Sequence, residues 1–138
     1  RADELGIGDS ISFLGYVPEA RLRSWYCSTR ACILPSTDAS YEGFGLVLLE
    51  AMACGRPVIT TNIAGMAEDI EEFNCGIIIP PGNPEELAHA IQWIIEHEKE
   101  AEQMGRSARD LVEQRFDWKI ITARMELVYS DLVRQSTV

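Results

Sequence analysis

The stretch over residues 34–62, LPSTDASYEGFGLVLLEAMACGRPVITTN, constrains this chain more than any other. It reads in order as the end of an apolar strand, a polar loop, two glycines, a short apolar helix carrying one carboxylate, a turn and a second apolar strand. The helix contains Leu46, Val47, Leu48, Leu49, Ala51, Met52 and Ala53. Being apolar on every side, it suits a core position between other elements. Glu50 in its middle is then expected to be partly buried, and a buried carboxylate needs partners.

The same rhythm runs through the rest of the chain. Short apolar runs at residues 11–14, 31–34, 57–60 and 76–79 read as four strands, none with the polar alternation of a half-solvated sheet. Helical patterns stand between and after them. The first follows Pro18 through Ala20, Leu22, Trp25 and Tyr26, and a short one lies within residues 64–72. The next opens with Asn83 as N-cap, Pro84 as first helical residue and Glu85 and Glu86 at the positive end of the dipole. Leu87, Ile91, Ile94 and Ile95 supply its apolar face. Two more helices end the chain, one marked by Ala108, Leu111 and Val112 and one by Ile121, Met125, Val128 and Leu132, with Asp117 as the N-cap between them. Strands alternating with helices predict an α/β fold, a parallel sheet covered on both faces. At 138 residues and 46% hydrophobic the chain suffices for one domain. Residues 1–6 read as the end of a helix with no strand before it, so a truncated start is expected.

A formal charge of −10 argues against a nucleic-acid surface, which needs clustered Lys and Arg to neutralise phosphates. No apolar run approaches the roughly 20 residues that span a bilayer and no leader pattern opens the chain, so a cytoplasmic, soluble protein is expected. Cys27, Cys32, Cys54 and Cys75 have neither C-x-x-C pairing nor zinc spacing and sit among apolar neighbours, which predicts reduced core thiols. His89 and His97 lie eight apart on a surface helix and read as solvated. No metal site is expected.

In open α/β sheets, ligands bind where the carboxyl ends of strands lead into helices. The loop over residues 35–43 lies at such an end. Gly43 and Gly45 remove side chains where the helix begins, so an anion, most naturally phosphate, can approach free amide hydrogens at the positive end of the dipole. The run is not a Walker A loop, since no G-x-x-x-x-G-K-[ST] occurs. Nor is it a dinucleotide fingerprint: Leu48 stands where the third glycine belongs, and Thr61 and Asn62 stand about 20 positions on, where an acidic residue should hold the ribose. Glu42 and Glu50 remain, one beside the glycines and one about two turns into the helix. Glu50 shares a helix face with Leu46 and Val47. From there its carboxylate can accept from two neighbouring hydroxyls, as a ribose diol presents, or cap backbone amides. Glu42 is placed nearer whatever lies beyond the phosphates, or is a solvated loop charge.

The run PSTDASYEGFGLVLLEAMACGRPVITTNIAGMAEDI resembles the nucleotide-binding core of the group 1 glycosyltransferases, a retaining GT-B family with many members in polysaccharide biosynthesis. The likeness covers the E-x7-E motif from Glu42 to Glu50 with Gly43, Phe44 and Gly45 inside it, and then Ala51, Met52, Ala53, Cys54, Gly55 and Pro57. It extends upstream to Phe13, Leu14, Gly15, Tyr16 and Val17, and downstream to Gly65, Glu68, Pro81, Gly82, Phe116 and Trp118. The resemblance implies a Rossmann-like parallel sheet with helices on both faces, the C-terminal half of a GT-B glycosyltransferase. It implies that Glu42 is the catalytic-site residue that contacts the transferred sugar and that Glu50 holds the ribose. Amides of Gly43, Phe44, Gly45 and Leu46 would meet sugar or diphosphate oxygens, with Leu46 and Val47 closest to the phosphates and Tyr16 and Val17 bordering the base. No cofactor or metal is implied: the nucleoside-diphosphate sugar is the donor substrate, and helix dipoles with basic side chains stabilise the leaving diphosphate.

By the same resemblance, residues 1–138 are a partial C-terminal donor-binding domain of a hexosyltransferase, inactive alone. Its partners are the nucleotide-sugar donor, an unidentified acceptor and the N-terminal acceptor domain of the same chain, and the parent enzyme admits peripheral membrane association. The family's leading strand, helix and strand, with an Arg and a Lys for the diphosphate, have no counterpart here, and its paired glycine is Ala64-Gly65. Two alternatives stand beside this reading, a non-catalytic nucleotide-binding module and a GT-B nucleotide-sugar epimerase.

Overall fold

The computed structural model describes residues 1–38, 40 and 43–135. After a short 3-10 turn at Gly8–Ser10, the elements run α1 (Glu19–Ser28), β1 (Cys32–Leu34), α2 (Leu46–Ala53), β2 (Val58–Thr61), α3 (Ala67–Glu72), β3 (Gly76–Ile79), α4 (Pro84–Glu96), α5 (Glu98–Leu111) and α6 (Trp118–Gln135). A π turn at Val112–Phe116 joins α5 to α6. The three strands form a parallel sheet in the order β1-β2-β3, with Cys32 opposite Val58, Leu34 opposite Thr60, and Thr61 opposite Ile79. Parallel neighbours need crossovers, and α2 and α3 provide them.

All four residues of β2 are buried, which is why its sequence lacks alternation. Val58 packs on one face with Leu48, Met52, Met66, Ile70, Ala108 and Leu111, and Ile59 on the other with Ile79, Ala90, Ile94 and Ala101. Helices therefore cover both faces, and α5 joins the two clusters because it contributes Ala101 to one and Leu111 to the other. That path is close enough that a Cβ on Gly105 would stand 2.3 Å from the Gly55 carbonyl oxygen.

The expected helix boundaries hold where they rest on capping chemistry. Asn83 Oδ1 accepts from the Glu86 amide at 3.1 Å, and Asp117 Oδ1 accepts from the Lys119 amide at 2.8 Å. Gly55, at φ +69°, ends α2 with its own amide on the Met52 carbonyl and the Arg56 amide on that of Ala51, which also accepts from Cys54.

Three expectations are corrected. Residues 11–14 join no ladder among the described residues, although Ile11 is extended, and Phe13 is 87% exposed. An apolar run supplies strand propensity, whereas a strand also needs a partner backbone, and among the described residues β1 pairs only with β2. The thiols are not uniformly in the core: Cys75 is buried, Cys32 and Cys54 are half-buried and Cys27 is exposed. Apolar sequence neighbours do not settle burial when a cysteine sits at a helix end. Glu50 is exposed rather than partly buried, for a reason given below. No helix of the described residues is long and apolar enough to cross a membrane.

Candidate functional site

The loop that leaves β1 is fixed first by the next strand. Thr60 Oγ1 donates to the Leu34 carbonyl at 2.8 Å and Thr61 Oγ1 to the Ser36 carbonyl at 2.9 Å. Both threonine side chains are buried, and a buried hydroxyl must find an acceptor, so β2 pins the start of the loop to the carboxyl ends of the strands. Farther along, Asp38 accepts from both the amide and the hydroxyl of Ser40 at 2.8 and 2.7 Å, and those bonds hold its carboxyl below the usual range.

Gly45 then turns the chain into α2 with φ +83°, a left-handed conformation that costs glycine little. Its carbonyl accepts from the amides of Leu48 and Leu49 at 2.9 and 3.3 Å. Among the described residues no side chain caps this end of the helix, and no acidic residue stands in its first turn. The amides of Leu46 and Val47 therefore retain their capacity for an outside acceptor, at the positive end of the dipole. The glycine loop rests on the turn after β2: a Cβ on Gly65 would meet the Gly43 carbonyl oxygen at 2.7 Å and Phe44 Cα at 3.3 Å. Phe44 sets its ring edge-on to Phe116 of the π turn, with centroids 5.4 Å apart.

Helix α2 buries one side and opens the other. Leu48, Ala51 and Met52 are fully buried, while Leu46 is 66% exposed and Val47 and Glu50 lie on the same outer face. This is why Glu50 is solvated despite its apolar neighbours: they occupy the opposite side of the helix. Glu50 Oε2 accepts from the Tyr26 hydroxyl of α1 at 2.8 Å. Among the described residues no backbone amide donates to Glu50, so the amide-capping alternative finds no support there. Burial first, then the bond to Glu50, raises the Tyr26 pKa, so this tyrosine is a neutral donor at physiological pH. From Leu46 to Glu50 the helix rises about 6 Å. One exposed face thus presents anion-seeking amides at its mouth and a held carboxylate acceptor one turn deeper, a pairing that fits a phosphate group joined to a diol.

Of the residues expected at the site, Gly43, Phe44, Gly45, Leu46, Val47 and Glu50 lie together along the loop and this helix face. Glu42 lies outside the described residues. Tyr16 is 89% exposed just before α1, and no hydrogen bond among the described residues ties it or Val17 to the loop. Three contributors carry a role in the site that the sequence does not assign to them. Tyr26 carried one usable signal, an aromatic ring in a packed helix whose hydroxyl needs a partner. Phe116 and Gly65 belong to the family likeness, but their contacts with Phe44 and Gly43 are long-range and carry no local signature. Among the described residues no group of three or more His, Cys, Asp or Glu is placed to hold a metal ion.

Residues 1–111 match the model of a protein family described as glycosyl transferases group 1. D-inositol 3-phosphate glycosyltransferase of Paenarthrobacter aurescens (strain TC1) is 33% identical over 117 residues, 85% of this chain and 28% of that protein. Among solved structures, sucrose-phosphate synthase from Thermosynechococcus elongatus superposes with a TM-score of 0.86 at 34% identity, over 97% of this chain and 33% of that one. HepE of Anabaena, solved in complex with UDP-glucose, superposes with a TM-score of 0.80 at 26% identity, over 99% of this chain and 35% of that one. The chain spans about a third of the length of the relatives it matches.

Proposed function

The chain belongs to the glycosyl transferases of group 1, with their Rossmann-like GT-B fold, and from that premise we propose that it forms part of the donor site of a retaining hexosyltransferase. The observation that carries this reading is the exposed face of α2, where open amides at Leu46 and Val47 stand one turn from a carboxylate held by Tyr26. In this reading the nucleoside diphosphate of a sugar donor lies along that face. Its phosphates take the amide end of α2, where the dipole favours the charge that grows as the diphosphate leaves. Its ribose hydroxyls donate to Glu50. The sugar lies beyond Gly43, and Glu42 is the residue that this reading assigns to contact it. HepE, solved with UDP-glucose, supports a donor of this class.

Coverage of about a third of each relative supports a division of labour in which residues 1–138 are a partial C-terminal donor-binding domain. The acceptor is then held by an N-terminal domain of the parent protein, and the 138-residue chain alone transfers no sugar. In the parent enzyme, Glu42→Gln and Glu50→Gln each lower kcat/KM by about tenfold or more, because an amide oxygen is a weaker acceptor than a carboxylate. Unchanged kinetics in both variants overturn the assignment, and transfer by the 138-residue chain overturns its inactivity.

A further inference from the structure

Away from the donor face, the far ends of α1 and α2 bring two thiols together. Cys27 lies in the last turn of α1 and Cys54 immediately follows α2. Both line an open cleft of about 440 Å³ whose other walls are Arg23, Ala53, Gly55 and Arg109. Cys27 and Cys54 are the two cysteines in its lining, and their thiols are electrostatic neighbours. Arg56 holds the two helix ends in place by donating to the Cys27 carbonyl at 2.5 Å, and Arg109 donates to that of Ala53. The other two cysteines point elsewhere. Cys32 directs its sulfur at the Val47 carbonyl, 3.9 Å away, and buried Cys75 at Met52 Sδ and the Ile70 carbonyl.

We propose that Cys27 and Cys54 are an intramolecular disulfide site, closed by exchange with a small-molecule disulfide and cross-linking the carboxyl ends of α1 and α2. In the first step the exposed Cys27 thiolate attacks one sulfur of the small disulfide, forming a mixed disulfide and expelling one thiolate. In the second the Cys54 thiolate attacks the Cys27 sulfur, forms the protein S–S bond and expels the second thiolate. Two protein thiols are oxidised, the small disulfide is reduced to two thiols, and the protons lost by Cys27 and Cys54 pass to those products or to solvent. The order follows accessibility: Cys27 is exposed, while burial raises the Cys54 thiol and the Arg23 and Arg56 guanidiniums oppose that rise. Both steps are open to the solvent cleft. Burial pushes Cys75 up to about 12, which removes it as a competitor at neutral pH.

The cross-link has a defined place in the molecule. Cys27 follows Tyr26 directly, and Cys54 lies one helical turn beyond Glu50. The disulfide therefore ties the same two helices as the Tyr26–Glu50 hydrogen bond and runs beside it. The inference does not depend on a bound nucleotide or on the donor reading, and neither does its test.

The 138-residue chain is incubated with oxidised glutathione at pH 8, blocked, and digested without reduction by trypsin and a glutamate-specific protease together. Cleavage at Glu50 separates Cys32 from Cys54, and because the Arg56–Pro57 bond resists trypsin the candidate cysteines lie singly in peptides over residues 24–30 and 51–68. The expected product is these two peptides joined with the loss of two hydrogens. Closure of the intervening loop also raises Tm, on the order of 10 °C. Cys27→Ser and Cys54→Ser each abolish both the linked peptide and the shift. Glutathione adducts without a cross-link overturn the proposal, as does a link through Cys32 or Cys75 or an unmodified chain.

Discussion

Tyr26 and Glu50 show how little of a site one residue specifies. The carboxylate alone on an exposed helix face is an ordinary solvated charge. Held at 2.8 Å by a hydroxyl from another helix, it keeps one orientation and loses less freedom when it accepts from a ligand. Tyr26→Phe keeps the ring that packs between α1 and α2 and removes only the donor. Titration of the 138-residue chain with UDP should show Kd rising about threefold in Tyr26→Phe and about tenfold in Glu50→Gln. Equal affinities in all three proteins exclude Glu50 from the nucleotide site. The pH dependence follows from the direction of the Tyr26 shift. Its folded pKa lies above the ordinary 10.0, so the stability it contributes is complete below that value and is lost as pH rises toward the folded pKa. The Tyr26→Phe difference in stability should thus be constant from pH 6 to 9 and narrow above about 10 in denaturation experiments. Glu50 was legible in the sequence from its place in an apolar helix behind two glycines. Its exposure was not, because seven apolar neighbours say nothing of which side of a helix faces the sheet.

At the level of elements, the site is a glycine loop braced by the turn after β2. A Cβ on Gly43 meets nothing within 4 Å among the described residues, whereas one on Gly65 collides with the Gly43 carbonyl. Gly65→Ala should therefore cost about 1–3 kcal/mol of stability through overpacking and push the loop away from the α2 amides. Gly43→Ala should leave stability nearly unchanged. Denaturant midpoints and m-values for the two variants check this, and equal stabilities show that the turn does not support the loop. The elements themselves were largely legible. Unbroken apolar runs announced β1, β2 and β3, and Asn83-Pro84 and Asp117 announced the starts of α4 and α6, because capping is chemistry among near neighbours. The run at residues 11–14 carried the same apolar signal without becoming a laddered strand, since pairing depends on a backbone elsewhere in the chain. The bracing of Gly43 by Gly65 was illegible for the same reason.

At the level of the whole molecule, the two halves of the chain are unequally covered. Folded monomers of 15.4 kDa expose roughly 7,200 Å² by the usual size scaling, and this chain exposes 9945 Å². Much of the difference lies in two places. Residues 11–16 leave Phe13 87% and Tyr16 89% exposed, and α6 has no buried residue. The π turn that leads into α6 is itself well anchored: Arg115 pairs with Asp69 and Glu72 of α3 and lies over the Phe73 ring, 4.7 Å from its centroid. Beyond that anchor α6 extends with Met125, Leu127, Val128 and Tyr129 between 49% and 67% exposed. Apolar surface of this extent gains roughly 25 cal/mol for each Å² removed from water, so a helix face of this kind favours association. In the 138-residue chain by itself the available cover is a second copy. Light scattering should therefore give a mass above 15.4 kDa that rises with protein concentration. Met125→Lys with Val128→Lys should return it to the monomer value without lowering Tm, because neither side chain contributes to the core. A monomer at all concentrations, or a double variant that associates like the parent, shows that α6 does not drive assembly.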